Sequence, residues 1–196
     1  MTRHTHTEPA SSAGKKHAVV PANGTSEHDA IALLSEDHKK VRGLFDQFKK
    51  MKEGDDVDSE SKRRFVEQTC SELRIHTQLE EEIFYPAMRE AIHDADLLNE
   101  AAVEHASAKQ FIAQLSRMDP ADELYDAMFT VLGEYVNHHI EEEEKEMFKK
   151  ARNSDADLHE LGAAMEQRRT QLRDRTASSP KEGNSQKRGA TKKSLH

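Results

Sequence analysis

His76-Thr-Gln-Leu-Glu80-Glu-Glu-Ile-Phe-Tyr-Pro86 is the stretch on which the fold turns. A second copy, His139-Ile-Glu-Glu-Glu143-Glu-Lys-Glu-Met-Phe148, follows 63 residues later. Each copy sets a histidine four residues before a glutamate, adds further acids, and places an aromatic nine residues after the histidine. Positions i and i+4 share one face of a helix. One such helix aims an imidazole and a carboxylate at a common point. Two facing helices supply two nitrogens and two carboxylates, a donor set for iron or manganese, with zinc as the lesser alternative.

Working outward, two more histidines fall into the same scheme. Ile31, Leu34, His38, Val41, Phe45 and Phe48 recur at spacings of three and four, which predicts a first helix with His38 at its centre. Leu98, Ala101, His105, Ala108, Ile112 and Leu115 do the same for a third helix around His105. The second helix carries Phe65, Thr69, Leu73, His76, Glu80, Ile83 and Ala87 inward, with Pro86 expected to kink or stop it. The fourth carries Leu124, Met128, Val131, Tyr135, His139 and Glu143. Ser26, Ser59, Asp94 and Asp119 are the expected helix starts. A fifth, shorter helix is expected between Asp155 and Arg173, on Leu158, Leu161, Met165 and Leu172.

The order helix with His, then helix with His-x-x-x-Glu, thus occurs twice. Short loops between long helices make neighbours antiparallel. The fold class is therefore all-α: an up-down-up-down four-helix bundle with a short fifth C-terminal helix. The domain is expected over residues 27–173. Residues 1–26 and the basic segment 174–196 lack apolar periodicity and are expected to be disordered.

Charge supports a metal site over a nucleic-acid surface. Of the net charge of −8, the two ends carry +2 and +4, leaving −14 on the body. Such a body attracts cations and repels phosphate backbones. Cys70 is the only cysteine, so neither an intramolecular disulfide nor a thiolate zinc site forms. No apolar run is long enough for a signal peptide or a membrane span, and the expected compartment is the cytoplasm.

Burying four imidazoles and two carboxylates without partners is costly, and metal coordination offsets that cost. The candidate ligands are His38, His76, Glu80, His105, His139 and Glu143. Six donors exceed one tetrahedral zinc and suit two metals bridged by two carboxylates. His139 is chosen over His138 by the repeat alignment. Tyr135, one turn before His139, is the candidate hydrogen-bond donor to a bound peroxide. Asp37 and Glu104 are read either as acids orienting an imidazole or as plain exposed acids. Glu81, Glu82, Glu141, Glu142 and Glu144 are expected to face solvent. No Glu-x-x-His precedes any of the four histidines, which argues against a ferritin-type site.

The full constellation resembles the hemerythrin-like (HHE cation-binding) family, in its H, HxxxE, H, HxxxE form, over about residues 30–173. The resemblance implies an oxo- or hydroxo-bridged di-iron centre, with Glu80 and Glu143 as bridging carboxylates and the four histidines as terminal ligands. It further implies O2, hydrogen peroxide or nitric oxide as the small-molecule ligand. Oxygen-carrying hemerythrins have a second histidine on the third helix where this sequence has Lys109. They also space the last carboxylate five residues after its histidine, not four. The expected function is thus O2 binding or catalase-like reaction with peroxide at a non-haem di-iron centre; the alternative is a non-enzymatic O2, NO or iron sensor or carrier.

Overall fold

A computed structural model describes residues 29–54 and 57–178. The expected disordered ends, with Ser26 and the histidines His4, His6 and His17, lie outside the described residues, save that 174–178 are helical. Five helical rods make up the fold. The first is α1 (Ala30–Glu53). The second runs unbroken through α2 (Ser59–Leu79), a π-helical turn (Glu80–Phe84) and α3 (Tyr85–Ala91). The third is α4 (Ala95–Leu115). The fourth combines α5 (Tyr125–Glu142), a second π turn (Glu143–Met147) and α6 (Phe148–Arg152). The fifth is α7 (Leu158–Ser178), which at 21 residues matches α4 in length and ends beyond Arg173.

The helix starts differ in detail from expectation. Asp29 caps α1 by accepting from the Ala32 N–H, and Asp58, not Ser59, caps α2 by accepting from Ser61. Asp94 caps α4 as expected. Asp119 instead closes a local turn onto Ala121, and the fourth rod begins at Tyr125. Pro86 does not stop its rod. The π turn just before it bonds the Tyr85 N–H to the Glu80 carbonyl. The second copy makes the same turn, Phe148 N–H to Glu143 carbonyl, with Lys149 in the place of Pro86. Proline is therefore not what widens the helix.

The apolar interior is divided in two. One cluster holds Ile31, Leu34, Leu79, Phe84, Met88, Leu98, Met147, Phe148 and Met165. The other holds Val41, Phe45, Phe48, Val66, Leu73, Ile112, Phe129, Leu132 and Ile140. Between them lies a layer of histidines and glutamates, one level from each of the first four rods. Each large apolar side chain buried above or below that layer contributes roughly 1.5–3 kcal/mol relative to exposure. α7 packs against α1, α2 and the first π turn, covering one flank of the bundle.

The stripes on α1 and α4 are buried as expected. On the fourth rod the buried face runs one residue later. Tyr125, Phe129, Leu132 and Val136 are inside, while Leu124 is 63% and Val131 44% exposed. Counting back from His139 with a first step of three reaches this face through Val136, Leu132, Phe129 and Tyr125; a first step of four leads instead to Tyr135, Val131 and Leu124. Gly133 belongs to the buried face because a Cβ there would meet Phe45 Cδ1 at 2.7 Å. Gly133→Ala is expected to lower stability. Overpacking costs about 1–3 kcal/mol, against about 1 kcal/mol gained in helix propensity. A rise in melting temperature would contradict this packing.

Candidate metal centre

His38 occupies the middle of α1, and His76 and His139 the last turns of α2 and α5. Glu80 and Glu143 each open a π turn, and His105 lies midway along α4. All six side chains are buried, Glu80 at 0% and Glu143 at 1% exposure. The Nε2 atoms point inward. His76 Nε2 stands 3.2 Å from Glu80 Oε1, His105 Nε2 3.3 Å from Glu80 Oε2, and His38 Nε2 3.2 Å from Glu143 Oε2. His105 and His139 bring their Nε2 atoms within 3.1 Å. Donor atoms of His38, His76, Glu80 and Glu143 lie within 4.8 Å of one another, as do those of Glu80, His105 and His139. Glu80 is common to both groups. The structure thus brings together all six residues singled out in the sequence, with His138 outside the cluster.

The donors fit a metal. His38 Nε2, His76 Nε2, and both oxygens of Glu80 and of Glu143 are buried without a hydrogen-bond partner. Buried polar atoms normally have partners, and six orphans converging on one layer call for cations.

Behind each imidazole stands an acid. Glu104 Oε2 lies 2.7 Å from His139 Nδ1, Glu81 Oε1 3.0 Å from His105 Nδ1, and Glu144 Oε1 3.0 Å from His38 Nδ1. Asp37 Oδ2 is 3.5 Å from His76 Nδ1. Such contacts turn the other ring nitrogen toward the metal position. For Asp37 and Glu104 this is the orienting role weighed above. For Glu81 and Glu144 it overturns the expectation of a solvent-facing position. The reason is an exchange between the repeats. The residue after each inner glutamate reaches across to the histidine of the other half: Glu81 to His105, Glu144 to His38. Bases then hold three of the four acids. Arg42 bonds Glu144, Lys109 bonds Glu81 at 2.6 Å, and Arg169 of α7 bonds Asp37 at 2.8 Å. Arg42 and Lys109 each stand four residues after the helix histidine, so Lys109 has a task of its own where the oxygen carriers place a ligand.

The layer divides its charge unevenly. Burial and the like charge of Glu143 raise the Glu80 carboxyl well above its usual range. Burial acts on Glu143 too, but His38 and the other imidazoles hold it down at about 2. Burial depresses His76 to about 4, leaving it neutral and able to ligate near neutral pH. The His105 contact, joined by Lys109, keeps Glu81 down at about 2. The raised Glu80 carboxyl holds a proton more tightly than an ordinary glutamate, and a metal bound there competes with that proton. Proton release on metal uptake at pH 7, measured in weakly buffered indicator dye, is the expected signature.

Tyr135 lines a cavity beside His105 and His139. It is half-buried and packs its ring against Phe111. The hydroxyl among the imidazoles is that of Tyr85, 3.3 Å from His105 Nε2 and 3.4 Å from His139 Nε2. Burial, with Glu143 and Glu80 nearby, raises this phenol well above its ordinary range, so it keeps its proton. The matching residue of the second copy, Phe148, stacks on His38 with ring centroids 5.5 Å apart. One half of the layer thus has a hydroxyl where the other has a bare ring. A cavity of about 20 Å³ adjoins the His105–His139 half, lined by Leu73, Thr77, Ala108, Ile112, Val136 and Tyr135 among others. It has room for a molecule about the size of water.

Comparisons with known proteins agree with this arrangement. Residues 29–151 match the hemerythrin HHE cation binding domain. An uncharacterised protein of Mycobacterium tuberculosis is 28% identical over 148 residues, covering 74% of this chain and 88% of that protein. A DNA nickase of Nostoc sp. is 23% identical over 137 residues; the match spans 70% of this chain and only 37% of the nickase. The crystal structure of a hemerythrin HHE cation binding domain-containing protein from Mycobacterium kansasii superposes with a TM-score of 0.64. It shares 25% identity, with 76% of this chain and 90% of that one covered. With the matched domain spanning more than half its length and the histidine–glutamate layer in place, the chain belongs to the hemerythrin HHE cation-binding family.

Proposed function

We propose that the histidine–glutamate layer holds two irons and that the protein reacts there with O2 or hydrogen peroxide, in a catalase-like manner with peroxide. The carrying observation is the pair of donor groups joined through Glu80. Four inward ring nitrogens and four carboxylate oxygens make eight possible donors, more than the six of one octahedral cation. A bound pair of irons would supply redox chemistry toward a small oxygen species. The protein's own contribution is positional. The four acid-backed imidazoles are fixed in orientation, Glu80 and Glu143 offset cationic charge, and the two apolar clusters exclude bulk water. Tyr85 holds a proton aimed at the space beside His105 and His139. The adjoining cavity admits a small neutral molecule to that same half. The lone, buried Cys70 forms no disulfide, which suits a reducing compartment, and the cytoplasm is the proposed location.

The test is elemental analysis of the full chain from iron-replete cells, with its ultraviolet–visible spectrum before and after peroxide. About two irons per chain and a peroxide-sensitive spectrum are expected. One zinc per chain, with refusal of iron on anaerobic reconstitution, would overturn the reading. Tyr85→Phe is expected to keep its iron but lose peroxide turnover by about 100-fold, the usual scale for a positioned proton donor. Full turnover in that variant would remove Tyr85 from the reaction.

A further inference from the structure

The acids behind the imidazoles break their own pattern at one place. Asp37, Glu81 and Glu144 each meet an arginine or lysine. Among the described residues, Glu104 is paired with no such base. Its surroundings hold His138 and another acid, Glu142, instead. His138 Nε2 lies 3.4 Å from Glu142 Oε1, one helical turn apart on α5. One donor atom each from Glu104, His138 and Glu142 falls within 4.8 Å of the other two. Two carboxylates and an imidazole so gathered, where the other three positions have a cation, mark a place for a positive charge. The donors are hard oxygens and one neutral nitrogen, a set suited to manganese(II), iron(II) or zinc.

A second observation ties this cluster to the interior. A cavity of about 10 Å³ is lined jointly by Glu104, Glu142, His139 and Glu143. Glu143 is buried, and neither of its carboxylate oxygens has a hydrogen-bond partner. Donors therefore follow one another from His138, 64% exposed, through Glu142 and the buried Glu104, to the inner carboxylate.

We infer that Glu104, His138 and Glu142 form an outer divalent-cation site through which metal enters the buried layer. Glu104 serves both places: one oxygen orients His139, and a carboxylate oxygen lies within 4.8 Å of donor atoms of His138 and Glu142. A cation at the outer site takes the position that Arg42, Lys109 and Arg169 fill behind the other three acids. The entry role rests on the inner layer being a metal centre; the outer site itself does not.

The experiment uses the full chain and a His138→Ala/Glu142→Gln double variant. His138 is exposed and Glu142 half-buried, and neither belongs to the apolar clusters, so the fold is expected to survive; Glu104 is left intact. Manganese(II) alone is titrated into iron-loaded and metal-stripped protein, and free ion is followed by electron paramagnetic resonance. The wild type is expected to bind one more, weaker manganese than the double variant, whose affinity there falls about 10- to 100-fold. Anaerobic iron(II) uptake by stripped protein is then timed by quenching and elemental analysis. The double variant is expected to load about tenfold more slowly yet reach the same final content, on the scale of lost electrostatic capture. Glu141→Gln, the same charge loss on the same helix outside the cluster, is expected to load at the wild-type rate. Identical manganese titrations in wild type and double variant would overturn the outer site. An unchanged uptake rate, or equal slowing in Glu141→Gln, would overturn its entry role. Should the inner layer take up no iron in any protein, the manganese titration still decides the outer site.

Discussion

Glu80→Gln protein is expected to lose at least one of its metals, and with it all peroxide turnover and metal-dependent stability. Glu80 has no exposure, and its oxygens lie 3.2 Å from His76, 3.3 Å from His105 and 3.9 Å from His38. It is the one residue common to both donor groups. Glutamine preserves shape but brings an N–H2 donor toward the metal position and carries no charge to offset a cation. In the loaded protein the imidazoles left without a metal become unsatisfied buried groups, at about 1–3 kcal/mol each. In the metal-free chain the sign changes. There Glu80 is a buried acid with two orphaned oxygens and a carboxyl raised by burial, and a replacement of the same shape that carries no charge is expected to be neutral or stabilising. Thermal unfolding of wild type and Glu80→Gln, each with and without iron, separates the cases. A loss of equal size in both states would mean that Glu80 is structural and not a ligand.

Glu81→Gln and Glu144→Gln come next in size. Each carboxylate is 3.0 Å from an imidazole Nδ1 and tied down by a base, Lys109 or Arg42. Neutralising one frees a ring to rotate and lowers the basicity of its inner nitrogen. An affinity loss of about 10- to 100-fold for one of the two metals is expected. Glu82→Gln is the natural comparison. Its carboxylate meets Arg168 and Gln78 on the outside of the same turn and touches no imidazole. Competitive chelator titration of the three variants gives the ranking. Equal retention by Glu81→Gln and Glu82→Gln would show that the imidazole contact does not matter for binding.

The six inner residues and the all-helical bundle were readable in the sequence because histidine at mid-stripe is a strong, periodic signal. What escaped was phase. Ile83 and Ala87 were expected inside, whereas Phe84, Tyr85 and Met88 are the residues fully buried after Glu80. A π turn bonds i to i+5 and adds one residue to its turn. Counting at 3.6 residues per turn places Tyr85 opposite His76; the wider turn brings it round onto Glu80's face. Tyr135 became the candidate for a separate reason: it lies four residues before His139, whereas the buried face runs back through Val136, three residues before. A clue was present, since both copies put an aromatic five residues after the inner glutamate. The roles of Glu81 and Glu144 were invisible for a different reason. Their partners lie on other helices, 24 and 106 residues away, and periodicity along one helix carries no information about a contact across the bundle.

The bond from Arg169 to Asp37 links residues 132 apart. Chain synthesis runs from the amino end, so α7 emerges last of the described helices. Every inner donor, and the support of three of the four imidazoles, leaves the ribosome before Arg169 does. A nascent chain can therefore gather its donors while His76 alone lacks the full chain of contacts that steadies it. In that order of synthesis, docking of the last helix is the step that completes the contacts behind His76.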